Sequence, residues 1–73
     1  MSIPTLTPVK SSNIAEVGHR GDKLFVKFIG GNSIYEYDGV PASLYDDLLK
    51  SDSIGRHFAQ TIKGKFSHRI HAL

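Results

Sequence analysis

Tyr35 and Tyr37 in the stretch SIYEYDG, and Arg56, Lys63, Lys65 and Arg69 near the end of the chain, are the side chains whose types and spacing suit recognition chemistry. In a strand the two tyrosines project from one face and Ile34 and Glu36 from the other. Such a pair can form a platform on which bases stack, each contributing about 1–3 kcal/mol. It can equally bury its rings beneath a helix, with the hydroxyls reaching water or a partner. The cations stand out because of what surrounds them. Residues 1–52 carry five lysines and arginines against seven acids, a balance of −2, whereas residues 53–73 carry four cations and no acid. A patch of one sign concentrates phosphates or acidic protein surfaces near it, and it can also simply be a solvated face.

Other chemistries fit less well. His57, His68 and His71 are candidate metal ligands, and HRIH sets two of them on one face if the tail is helical. With no cysteine in the chain and no acid in its last stretch, no metal site is expected. Ser33, Ser43 and Ser53 sit in turn and cap contexts without a nucleophile elbow. Asp46 and Asp47 are adjacent, so a helix points them apart. The pair Gly30 and Gly31 lacks the Lys-Ser/Thr of a phosphate loop. The expectation is a protein that is not an enzyme and needs no cofactor.

The elements that must position these residues follow from patterning. Pro4 and Pro8, among threonines and serines, predict a flexible arm over residues 1–12. IAEVGH reads as a strand, RGD as a turn and KLFVKFI as a second strand with Leu24, Val26 and Phe28 on one face. GGN then reverses the chain into SIYEYDG. Past Pro41, the spacing of Leu44, Tyr45, Leu48 and Leu49 predicts a helix over about 42–50. SDS can cap a second helix, whose Ile54, Phe58 and Ile62 recur every four residues and which Gly64 can close. The predicted class is α+β: a three-stranded antiparallel meander followed by two short helices packed on one sheet face. The predicted organisation is an arm at 1–12, one domain at 13–70 and a tail at 71–73.

At 73 residues the chain makes one domain of modest stability. Without cysteines or a signal-like start, and with no apolar run long enough to span a bilayer, it is expected in a reducing cytoplasm, away from membranes.

The order SSNIAEVGH, LFVKFIGGNSIYEYDGVP, SLYDDLLKSDSIGRHF and IKGKF resembles the KTSC domain, over about residues 11–70. That small family occurs as single-domain bacterial and phage proteins and at the C-terminus of some lysyl-tRNA synthetases. Its aromatic-x-aromatic pattern corresponds to Tyr35, Glu36 and Tyr37, its valine and proline to Val40 and Pro41, and its serine-x-glycine turn to Ser53, Ile54 and Gly55. The chain departs from the family at His19, Ala59 and Phe66, where members often carry an aromatic, an asparagine and a tyrosine. The association with a tRNA synthetase implies RNA binding.

In size, proline-bearing arm and lone domain, the chain is also similar to small phage-encoded regulators of bacterial RNA polymerase. That resemblance implies inhibition of transcription initiation and antitermination through contact with the N-terminal region of the largest subunit, near the RNA exit channel, where NusA also acts. The resulting expectation is a monomer in the host bacterial cytoplasm that binds polymerase through Arg56, Lys63, Lys65 and Arg69, with Ile3, Leu6 and Val9 of the arm as a second contact. The alternative is an RNA-binding module in which Tyr35 and Tyr37 stack on bases and the basic region meets phosphates.

Overall fold

The run KLFVKF occupies the middle of the sheet because its alternate apolar residues can be covered on both faces. The computed structural model of the protein describes residues 3–72. In chain order its elements are β1 Thr7–Pro8, β2 Ile14–Arg20, β3 Lys23–Phe28, β4 Ser33–Asp38, α1 Ala42–Lys50, α2 Ile54–Thr61 and β5 His68–Ala72. The strands form one antiparallel sheet in the order β1-β2-β3-β4-β5. The expected α+β class holds, and the expected meander is the centre of a sheet two strands wider.

Both extra strands carry weak sequence signals for physical reasons. Pro8 lies in β1, at the sheet edge, where a residue without an N–H costs the ladder little. β1 pairs Thr7 with Val17 and Pro8 with Glu16, and the Val9 N–H continues the contact to the Ala15 carbonyl at 3.1 Å. Within the expected arm Thr7 and Pro8 therefore form an edge strand, and Met1 and Ser2 lie outside the described residues. In β5 the sequence HRIHA holds one large apolar residue, Ile70, which is 57% exposed, so no alternation marks it as a strand. His71 and Ala72 of the expected tail belong to this strand, and Leu73 lies outside the described residues.

In β2 the register against β3 slips between Ile14 and Glu16. The resulting bulge lets Ile14 and Val17, three residues apart, both enter the core. There they join Leu24 and Val26 of β3, Tyr37 of β4 and Val40. Across this face lie the two helices, contributing Leu48 from α1 and Ile54, Phe58 and Ile62 from the α2 region. Leu49 of the expected α1 stripe is 40% exposed and stays outside.

Ser53 caps α2 as its position in SDS predicts, its Oγ accepting the Arg56 N–H at 3.3 Å. The serine-x-glycine spacing has a second reason. A Cβ on Gly55 would collide with the Asn13 side chain and crowd Ser11 Oγ. That oxygen in turn accepts the N–H groups of Asn13 and Ile14 at 3.2 and 3.1 Å. The entry into β2 is thus laid directly against the start of α2. His19 couples α1 to the sheet: its Nε2 donates to the Val40 carbonyl at 2.7 Å, and its ring stacks on Tyr45 with centroids 5.2 Å apart.

The face without helices is covered in part by the arm. Leu6 lies so close over Gly18 that a Cβ there would stand 2.7 Å from its Cδ2. Beside it, Phe25, Ile34 and Glu36 are buried on this face.

Candidate functional site

The alternation of β4 divides its side chains between two surfaces. On the helix side Tyr37 sits opposite Leu24 and Tyr35 opposite Val26. Tyr37 is 5% exposed, its ring edge-on to Phe58 with centroids 5.4 Å apart. Tyr35 is half-buried and meets Phe28 edge-on at 5.3 Å. The two tyrosine rings are nearly parallel, with centroids 6.5 Å apart, and His68 of β5 lies against both at 5.8 and 5.3 Å. Phe28, Phe58 and the two tyrosines, together with Asn13 and Lys63, line a cleft of about 210 Å³. Burial, and next the neighbouring Tyr35, raise the Tyr37 phenol above its ordinary value, which keeps it neutral. The cleft thus offers aromatic rings, one amide and one ammonium, with Tyr37 almost wholly buried at its wall.

The four expected cations do not form one patch. Lys63 lines the aromatic cleft. Arg56 stands with Ser51, Asp52, Ser53, His57 and Gln60 beside the junction of the two helices. Lys65 is exposed in the turn after α2. Arg69 projects from the other face of the sheet, where its Nη2 lies 3.6 Å from Asp38 Oδ2. The charge imbalance along the chain is partly cancelled in space, because β5 lies beside β4 and sets Arg69 opposite Glu36. The arm residues are used internally as well: Ile3 lines a cavity with Phe25, Leu6 caps Gly18 and Val9 packs against the core.

On the helix-free side sequence reasoning missed a cluster. His71 Nε2 lies 2.7 Å from Glu36 Oε1 beside a largely apolar cavity of about 260 Å³, which Ile3 and Phe25 also line. Lys23 Nζ pairs with Asp38 Oδ1 at 3.0 Å. The approach of His71 to Glu36 follows from the β4–β5 register, which depends on recognising β5, whereas Lys23 and Asp38 stand directly opposite each other in the β3–β4 hairpin. Because the end of the chain is a strand, His68 and His71 point to opposite faces. Among the described residues no group of three histidines and acids is placed to hold a metal ion. No described helix is long and apolar enough to cross a membrane.

The Lys23 ammonium, 3.0 Å from Oδ1, and after it Arg69 hold the Asp38 carboxyl below its ordinary value. A lowered carboxyl adds stability that is fully present above its unfolded value and is lost as pH falls through the folded one. Asp38→Asn should therefore lower the melting temperature near neutrality, with the gap to the wild type closing as pH drops below about 4. Melting curves of both proteins across the acid range check this, and a gap that stays constant in acid would contradict it.

With this geometry in place, the relatives can be compared. The KTSC domain profile matches residues 10–66. An uncharacterized protein of Stutzerimonas stutzeri is 37% identical over 57 residues, covering 75% of this chain and 79% of that protein. A lysine–tRNA ligase of Nostoc punctiforme is 49% identical over 43 residues, which are 59% of this chain and only 8% of the ligase. The crystal structure of a KTSC domain protein from Yersinia pestis superposes with a TM-score of 0.81 at 37% identity, covering 89% of this chain and 93% of that one. The profile spans the bulged β2, the tyrosine pair and the Ser53–Gly55 cap, and on that match the chain belongs to the KTSC domain family.

Proposed function

We propose that the protein is a phage-type transcription regulator that binds host bacterial RNA polymerase by protein contact, inhibiting initiation and promoting antitermination. The contact falls on the N-terminal region of the largest subunit near the RNA exit channel, with NusA acting in the same region. The observation that carries this reading over a base-stacking one is the burial of Tyr37 at 5% exposure, which removes half of the aromatic platform. What remains outward is scattered charge and an open strand, β5, features that suit a protein surface. The test uses RNA polymerase purified free of nucleic acid. Co-elution with the protein, reduced promoter-dependent transcription and increased terminator read-through are expected. Absence of co-elution would end the reading.

A direct RNA contact is the second reading, favoured by one specific feature. The cleft places Lys63 beside Tyr35 and Asn13, so one base edge and one phosphate could be held there. The lysine–tRNA ligase that shares this domain points the same way. Arg69 lies on the opposite face and would not touch the same strand. In this reading affinity for single-stranded RNA falls with salt, at a logarithmic slope of about −0.7 per phosphate neutralised. Salt-independent binding would exclude it.

A further inference from the structure

We infer that the free edge of β5 receives an acidic, extended segment of a protein partner as a sixth antiparallel or parallel strand. The inference rests on the protein-contact reading proposed above and names its mode. Among the described residues β5 is hydrogen-bonded on one side only, to β4. Its outer side therefore offers backbone N–H and C=O groups to another strand. The opposite sheet edge differs: β1 is two residues long and one of them is proline. A strand added there would find little ladder to join.

The side chains of β5 select the occupant. Arg69 and His71 project on the helix-free side, while His68 and Ile70 project on the other, Ile70 opposite Tyr35. Ile70 is 57% exposed and Arg69 keeps 65% of its side chain in solvent. No acid occurs from residue 53 onward. A second copy of this chain is a poor occupant. Antiparallel self-pairing centred on Ile70 would set Arg69 against His71 of the other copy, so neither strand would offer the guanidinium an acid. A partner strand of the pattern acid–apolar–acid meets both needs: its acids face Arg69 and His71, and the apolar residue between them covers Ile70.

The charged groups already near these side chains leave room for that contact. Arg69 faces Asp38, whose Oδ1 is held by Lys23 at 3.0 Å, and Glu36, which pairs with His71. A guanidinium carries five N–H donors, so a 3.6 Å approach to Asp38 leaves others for a second carboxylate. Hydrogen bonds to the added backbone would supply the affinity, and the two acids the register.

The test is a titration of ¹⁵N-labelled protein with a short synthetic peptide alternating glutamate and valine, alongside the same peptide with lysine for glutamate and one interrupted by proline. The glutamate peptide is expected to shift the amides of residues 68–72 and slow their hydrogen exchange, and the two controls are expected not to. Arg69→Gln should weaken binding about two- to fivefold, as loss of one exposed ion pair would. Absence of binding, equal binding of the lysine peptide, shifts confined to the cleft or the helices, or a β5-mediated dimer in the free protein would each overturn the inference. If the peptide fails while polymerase still co-elutes, β5 is not the surface and the regulator reading stands. If the peptide docks on β5 and polymerase does not co-elute, the regulator reading falls and the strand addition remains.

Discussion

Phe58→Ala is expected to cost about 3–5 kcal/mol of folding stability, the range for deleting a buried aromatic ring. Phe58 is 2% exposed and stands where α2 meets the sheet, edge-on to Phe28 at 5.7 Å and to Tyr37 at 5.4 Å. Removing the ring forfeits its transfer free energy and leaves a void bounded by groups on three elements, which cannot all close in at once. A domain of this length has roughly 4–11 kcal/mol of stability in total, at 0.05–0.15 kcal/mol per residue. The variant should therefore be partly or wholly unfolded at 37 °C. Urea unfolding followed by far-UV circular dichroism measures the loss. Leu49→Ala, at a position 40% exposed on the neighbouring helix, is the control and should stay within about 0.5 kcal/mol of wild type. A loss below about 1 kcal/mol for Phe58→Ala would mean that α2 is not anchored through this ring.

The same geometry explains how far the sequence could be read. The central meander and both helices were legible because their apolar residues recur at the periods of strand and helix: Leu24 and Val26 on one side, Ile54, Phe58 and Ile62 on the other. Ser53 announced the start of α2 because a side-chain oxygen at that point satisfies a free helix N–H. The outer strands left no such mark. β5 buries almost nothing, and β1 contains the residue that argues against a strand. Missing β5 had a cost for the site. Without the β4–β5 register, Arg69 looked like a member of a basic patch and His71 like a free imidazole, whereas they stand beside Asp38 and Glu36. Ile3, Leu6 and Val9 looked available because nothing in a linear reading shows that Gly18 leaves space for Leu6. For the arm to meet a partner it must first leave the sheet.

Replacing the two tyrosines one at a time is expected to give unequal results, and that inequality decides how any binding data are interpreted. Tyr37→Ala should cost about 3 kcal/mol, because it empties a core position in contact with Phe58. Tyr35→Ala should cost less, since its ring is half-buried at the mouth of the cleft, and the fold should survive. A loss of RNA binding in Tyr37→Ala would thus report unfolding, and only Tyr35→Ala, with Lys63→Gln beside it, tests the cleft. Tyr37→Phe separates ring from hydroxyl. Burial raises the Tyr37 phenol above 10.0, so its contribution is intact below the unfolded value and is lost as pH rises through the folded one. Tyr37→Phe should accordingly flatten the alkaline fall in stability. It should not abolish that fall, because Tyr45 is also raised, by burial and then by Asp46. Thermal melts of wild type, Tyr35→Ala and Tyr37→Phe from neutral to strongly alkaline pH measure all three effects. If Tyr35→Ala proves as destabilising as Tyr37→Ala, both rings belong to the core, the cleft offers no free aromatic surface, and recognition must reside in the edges and charges of the sheet.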